Sequence, residues 1–159
     1  MSKQRPPVEG DLQAGGLRFA IVAARFNPGV VEALVQGAIG ALLEHGGRES
    51  DIDVVRVPGA YDIPIIARKL ALARRYDALI ALGAVVRGDT PHFDFVAGEC
   101  AAGLTRVALD SGVPVTFGVL TTDTMEQALA RAGGAAGNKG ADAALAALEL
   151  ATLLKRLDR

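Results

Sequence analysis

The chain has 159 residues, of which 50% are hydrophobic and 22% charged, and it carries a net charge of −1. That is enough for one domain with a real core, and the charge balance excludes a general attraction to nucleic acid or to an anionic membrane surface. The single cysteine, Cys100, excludes an internal disulfide, and the two histidines, His45 and His92, lie too far apart in sequence to form a cluster with metal-ligand spacing.

Residues 1–16 read as a mobile or extended arm, because Pro6-Pro7 forbids helix and Gly15-Gly16 marks a turn. Met1 to Gly10 has no apolar stretch of the kind a signal peptide needs. With one unpaired cysteine, this predicts a reducing, cytoplasmic setting. Leu17 to Ala24 predicts a first strand, and Val30 to His45 a helix whose apolar stripe runs through Val31, Leu34, Val35, Ala38 and Leu42. Asp53 to Val57 is a second strand, followed by a helix over Ile63 to Arg75 with Pro64 in its first turn.

Ala78 to Val86 is a continuous apolar run with no helical face, the pattern of a parallel strand buried on both sides. It breaks abruptly into Arg87, Gly88, Asp89, Thr90, Pro91 and His92. A long helix over Phe93 to Ser111 follows, with Gly98 and Gly103 suggesting close packing. Val115 to Leu120 is a fourth strand. Thr124 and Gln127 have capping-box spacing for a short helix over Met125 to Ala132, which Gly133-Gly134 ends. Asn138 is placed to cap the last helix, whose leucines cover more than one stripe and call for two partners, the sheet and a neighbouring subunit. None of the apolar runs is long enough to span a bilayer. The repeated β-α unit predicts a three-layer α/β/α sandwich around a four-stranded parallel sheet, a flavodoxin-like arrangement over residues 17–159.

In such a sheet the C-terminal strand ends share one edge, and ligands bind there. Three turns at that edge carry unusual chemistry. Arg25, Phe26 and Asn27 follow the first strand; Gly59, Ala60, Tyr61 and Asp62 the second; Arg87 to His92 the third. The set suits a flat polar ring plus an anionic group, with Phe26 stacking, turn N–H groups and Thr90 holding a phosphate at a helix start, and His92 moving protons. Each residue also has a plainer reading. Phe26 at a strand end is more often core. Asp62 and Thr90 fit as helix caps, Gly59 and Gly88 as turn formers, His92 as a solvated first-turn residue, and Cys100 as a small buried one.

R-F-N at 25–27, V-P-G-A-Y-D-I-P at 57–64 and L-G-A-V-V-R-G-D-T-P-H-F-D at 82–94 occur in order with F-G-V-L-T at 117–121, E-Q-A-L-A-R-A-G at 126–133 and A-G-N-K-G at 136–140. Together they resemble the lumazine synthase family of riboflavin synthesis, over nearly the whole chain beyond the arm. The resemblance implies condensation of 5-amino-6-(D-ribitylamino)uracil with 3,4-dihydroxy-2-butanone 4-phosphate to 6,7-dimethyl-8-ribityllumazine, phosphate and water, with no metal or organic cofactor. By motif, it implies that Phe26 stacks on the pyrimidine. Asn27, Gly59, Ala60, Val85 and Val86 line the ring and ribityl site, and Asp62 binds ribityl hydroxyls. Gly88, Asp89 and Thr90 form the phosphate loop, and His92 transfers protons. Phe117, Arg131 and Lys139 would reach the site from an adjacent subunit, with Arg131 on the phosphate. Self-association as a pentamer or an icosahedral 60-mer shell is implied too, along with a functional link to riboflavin synthase. The short connection from Gly133 to Gly140 resembles the shell-forming members.

Two positions depart from the family pattern. Asp62 stands where many relatives have Glu, so its reach is shorter. Asp89 puts a carboxylate beside the phosphate loop, where repulsion predicts that it points away. Rival readings are a flavodoxin-type phospho-ligand-binding or signalling domain, a catalytically silent shell protein, and a riboflavin synthase of archaeal type. The first would want an acidic pocket that the strand ends lack, and A-G-N-K-G disfavours the last.

Overall fold

Four parallel strands form the central sheet of the computed structural model, which describes residues 4–158. They are β1 (Phe19–Ala24), β2 (Ile52–Val57), β3 (Ala78–Val86) and β4 (Val115–Thr122), in the order β2-β1-β3-β4. The helices are α1 (Pro28–Glu44), α2 (Ile63–Leu72), α3 (His92–Ser111), α4 (Met125–Ala130) and α5 (Lys139–Leu157). Side chains alternate across β1. Phe19, Ile21 and Ala23 join the core under α1 and α5, while Ala20, Val22 and Ala24 join the core under α2 and α3. The result is the expected three-layer α/β/α sandwich with flavodoxin-like strand order. The order reverses direction between β1 and β3, and this switch point locates the site.

The Ala- and Gly-rich composition has a direct packing consequence. A Cβ built on Gly140 would lie 2.0 Å from the Leu34 carbonyl oxygen, so α1 and α5 touch backbone to backbone there. A Cβ on Gly103 would lie 2.8 Å from Pro64, which fixes the approach of α3 to α2. Gly98, also expected to mark close packing, faces open space instead.

Several boundaries move. β1 starts at Phe19, because the Leu17 N–H turns back to the Ala14 carbonyl. α2 stops at Leu72, since Arg74 takes a left-handed φ of 59° and its guanidinium donates to the Ser111 carbonyl. β4 continues to Thr122, paired with Val86 of β3. α4 ends at Ala130, with Arg131 as its C-cap. Gly133-Gly134 does more than stop a helix: β5 (Ala132–Gly134) and β6 (Gly137–Asn138) pair antiparallel before α5. Both expected caps form, Thr124 with Gln127 on α4 and Asn138 on the first N–H groups of α5. The arm is irregular but anchored at two places: the Asp11 N–H donates to the Thr152 hydroxyl at 2.8 Å beside an Arg156–Asp11 pair, and Ala14 is buried in the core with its N–H on the His45 carbonyl at 2.9 Å. Its first three residues lie outside the described ones. α5 leaves Leu150, Leu154 and Leu157 exposed, the second apolar face its sequence announced.

Candidate active site

The β1–β2 ladder runs past the ends of both strands. The Arg25 N–H donates to the Val57 carbonyl at 2.7 Å and the Phe26 N–H to the Pro58 carbonyl at 3.1 Å. These bonds hold the backbone of Phe26 at the sheet edge while its ring stays 71% exposed. Exposure on this scale removes the core reading of Phe26. Asn27 follows in the left-handed region, φ 61°, as N-cap of α1, and its amide donates to the Ala84 carbonyl at 2.9 Å. The ends of β1, β2 and β3 are thus tied together by three hydrogen bonds.

A cleft of 760 Å³ opens above them, within the range of about 300–1,000 Å³ usual for small-molecule sites. Phe26 forms one wall. Ala60 and Asp62 come from a 3₁₀ turn, Ala60–Asp62, that follows β2, and Gly59 is its N-cap. The Gly59 N–H donates to Oδ2 of Asp62 at 3.0 Å, so half of that carboxylate closes its own turn and the other oxygen is free. Val85 and Val86 line the floor. Gly88, Thr90 and His92 line the far side, where α3 begins at His92 and presents its N-terminal N–H groups. Asp89 is exposed and lies off the wall, as does Asn27 beneath it.

Phe117, Arg131 and Lys139 do not enter this cleft. They line a separate depression along β4 with Thr121 and Thr122, where the Arg131 guanidinium donates to the Gln127 carbonyl at 2.9 Å. The predicted residues therefore fall into two groups on one chain. Among the described residues no three His, Cys, Asp or Glu side chains gather as a metal site, and no helix is long and apolar enough to cross a membrane. Cys100 is buried on the sheet-facing side of α3, where desolvation pushes its thiol up to about 11.

The family profile described as 6,7-dimethyl-8-ribityllumazine synthase matches residues 16–155. The 6,7-dimethyl-8-ribityllumazine synthase of Desulfotalea psychrophila is 57% identical over 150 residues, covering 94% of this chain and 97% of that protein. The chain belongs to the 6,7-dimethyl-8-ribityllumazine synthase family. Lumazine synthase activity, that of a transferase of riboflavin biosynthesis, is the function that this membership assigns, as the sequence resemblance implied.

Set against the expected residues of a lumazine synthase, the cleft contains more aromatic surface than the motifs announced. The chain has five Phe, two Tyr and no Trp, and Phe26, Tyr61, Phe93 and Phe95 all line the cleft. Tyr61 is 62% exposed and Phe95 67% exposed. A signal for the last pair was available. Phe93 and Phe95 are two residues apart on a helix, a spacing that cannot bury both on one face.

Proposed function

We propose that this cleft, completed by a second copy of the chain, condenses 5-amino-6-(D-ribitylamino)uracil with 3,4-dihydroxy-2-butanone 4-phosphate to give 6,7-dimethyl-8-ribityllumazine, phosphate and water. One observation carries the reading: an exposed Phe26 ring shares a cleft with Asp62, His92 and the Gly88–Thr90 turn at the start of a long helix. Phe26 stacks on the pyrimidine. The free oxygen of Asp62 accepts from ribityl hydroxyls, and backbone at Gly59, Ala60, Val85 and Val86 borders the ring. Asn27 holds the floor through Ala84. Gly88, Thr90 and the backbone N–H of Asp89 receive the phosphate, where the α3 dipole favours an anion.

The chemistry then follows from placement. The pyrimidine amine attacks the butanone carbonyl and an imine forms with loss of water. Phosphate leaves, and ring closure releases the second water. His92 is the proton carrier for these steps. Holding two reactants in register supplies much of the acceleration.

The separate position of Phe117, Arg131 and Lys139 supports the reading that each cleft takes these three from a neighbour. Arg131 then pairs with the phosphate, a match of planar guanidinium to anion. Such an arrangement requires self-association, and the family resemblance points to a pentamer or a 60-subunit shell as its form. It also fits a cytoplasmic enzyme that passes its product to riboflavin synthase. The two substrates mixed with purified protein, followed by lumazine absorbance, test the activity. Turnover above the uncatalysed rate is expected. A rate equal to background leaves a silent shell protein of the same fold and sinks the proposal. Light scattering tests the assembly, where a monomer at working concentration would contradict it.

A further inference from the structure

Arg87 follows β3 with its N–H on the Thr122 carbonyl at 2.8 Å, and its side chain is not part of the cleft wall. It folds behind the loop 88–91 instead. The guanidinium carbon stands 4.3 Å from the centroid of the Phe93 ring, and Nη1 lies 3.6 Å from Oδ1 of Asp94. Nε donates to Oδ1 of Asp123 at 2.9 Å. One side chain thus ties the start of the loop to the first turn of α3 at its end, and both to the turn before α4. The loop between has few other ties. Open space surrounds Gly88, and the Thr90 hydroxyl accepts from the His92 N–H only at 3.5 Å. Phe93 borders both the cleft and the depression holding Arg87, so the ring transmits the clasp to the wall.

We propose that Arg87 is a positioning residue, a clasp that sets the Gly88–Thr90 turn and His92 against the phosphate-bearing substrate; this rests on the condensation proposed above. A guanidinium can stack on a ring and pair with two carboxylates at once, because its planar fork is fixed, whereas an ammonium offers a point charge. Each contact alone is weak at an exposed site. Acting together they limit where the loop can sit, and a loop misplaced by about 1 Å can cost far more than the contacts themselves.

The test uses the assembled protein and steady-state kinetics with each substrate varied in turn. Arg87→Ala is expected to raise the KM for the butanone phosphate about tenfold while leaving that for the pyrimidine within about twofold. Arg87→Lys falls between. Asp123→Asn, a same-size change at a residue that does not line the cleft, raises the butanone phosphate KM about threefold, and the double variant is no worse than Arg87→Ala alone. Additive effects of the two changes, or equal damage to both KM values, overturn the clasp. If Asp123→Asn lowers the KM for the phosphate substrate, the arginine is instead a direct ligand that Asp123 restrains, which also overturns it. Should Arg87→Ala not fold, Asp123→Asn with an unchanged KM is sufficient to refute it. Wild-type protein without turnover would sink the condensation reading, whereas wild-type turnover with indifferent variants sinks the clasp alone.

Discussion

Truncating Phe26 to alanine removes a ring that is 71% exposed. What remains in contact is about 60 Å² of a side chain of roughly 200 Å², which at about 25 cal/mol per Å² stabilises the fold by at most about 1.5 kcal/mol. Phe19, 1% exposed between the sheet and α1, offers the comparison, because Phe19→Ala should cost about 3–5 kcal/mol. Stacking of an aromatic ring on a nucleobase-like heterocycle contributes about 1–3 kcal/mol, or roughly five- to 150-fold in affinity. Phe26→Ala is therefore expected to raise the KM for the pyrimidine within that range and to leave the butanone phosphate nearly untouched. Denaturation at fixed protein concentration measures the stability difference, and steady-state rates with each substrate varied measure the binding difference. A stability loss as large as that of Phe19→Ala would mean that the ring is core. An unchanged pyrimidine KM would mean that it does not stack. Either result refutes the argument from exposure.

If, as proposed, Arg131 fixes a reactant while His92 carries protons that water can partly carry, Arg131→Ala should harm the reaction more than His92→Ala; turnover of the two variants side by side checks the order. Gly140→Ala should destabilise the fold by about 3 kcal/mol or rearrange the α1–α5 contact, because its Cβ would meet the Leu34 carbonyl at 2.0 Å, whereas Gly98→Ala, in open space, should not destabilise; thermal unfolding reads both. The Cys100 thiol stays protonated in the folded chain until about pH 11, so a thiolate-specific reagent at pH 8 should label it only after denaturant is added. The unfolded thiol ionises first, near its ordinary value of 9.0, so this group favours unfolding as pH rises from about 9 toward 11.

β3 was legible residue for residue, because a strand buried on both faces leaves an unbroken apolar run bounded by charge. The caps at Thr124 and Asn138 were legible for a different reason: a side chain that must accept from particular N–H groups leaves its type at a fixed offset. The end of α2 was not, since the left-handed turn there falls on Arg74, where no glycine announces it. The β5–β6 pair hid behind Gly133-Gly134, which reads equally well as a helix stop. At the site, chemistry was easier to read than placement. The types at 26, 62 and 88–92 suggested a ring and an anion. Whether Phe26 faces solvent depends on the ladder bond to Pro58, a contact between segments over 30 residues apart that no local pattern encodes. The same holds for the distance of Arg131 and Lys139 from the cleft, and for Arg87 turning away from a loop it borders.

The central claim is that one working site is built from two copies of the chain. Phe26→Ala and Arg131→Ala, each damaged in one half of the site, can be unfolded together and reassembled as mixed oligomers. In random mixing about a quarter of the sites combine an intact Phe26 side from one chain with an intact Arg131 side from another. With the pyrimidine held well below its KM, where both parents are slow, the mixed assembly is expected to gain about a quarter of the wild-type rate over the residual rate of its parents. A mixed assembly no faster than the mean of its two parents would place the whole site within a single chain and contradict the account.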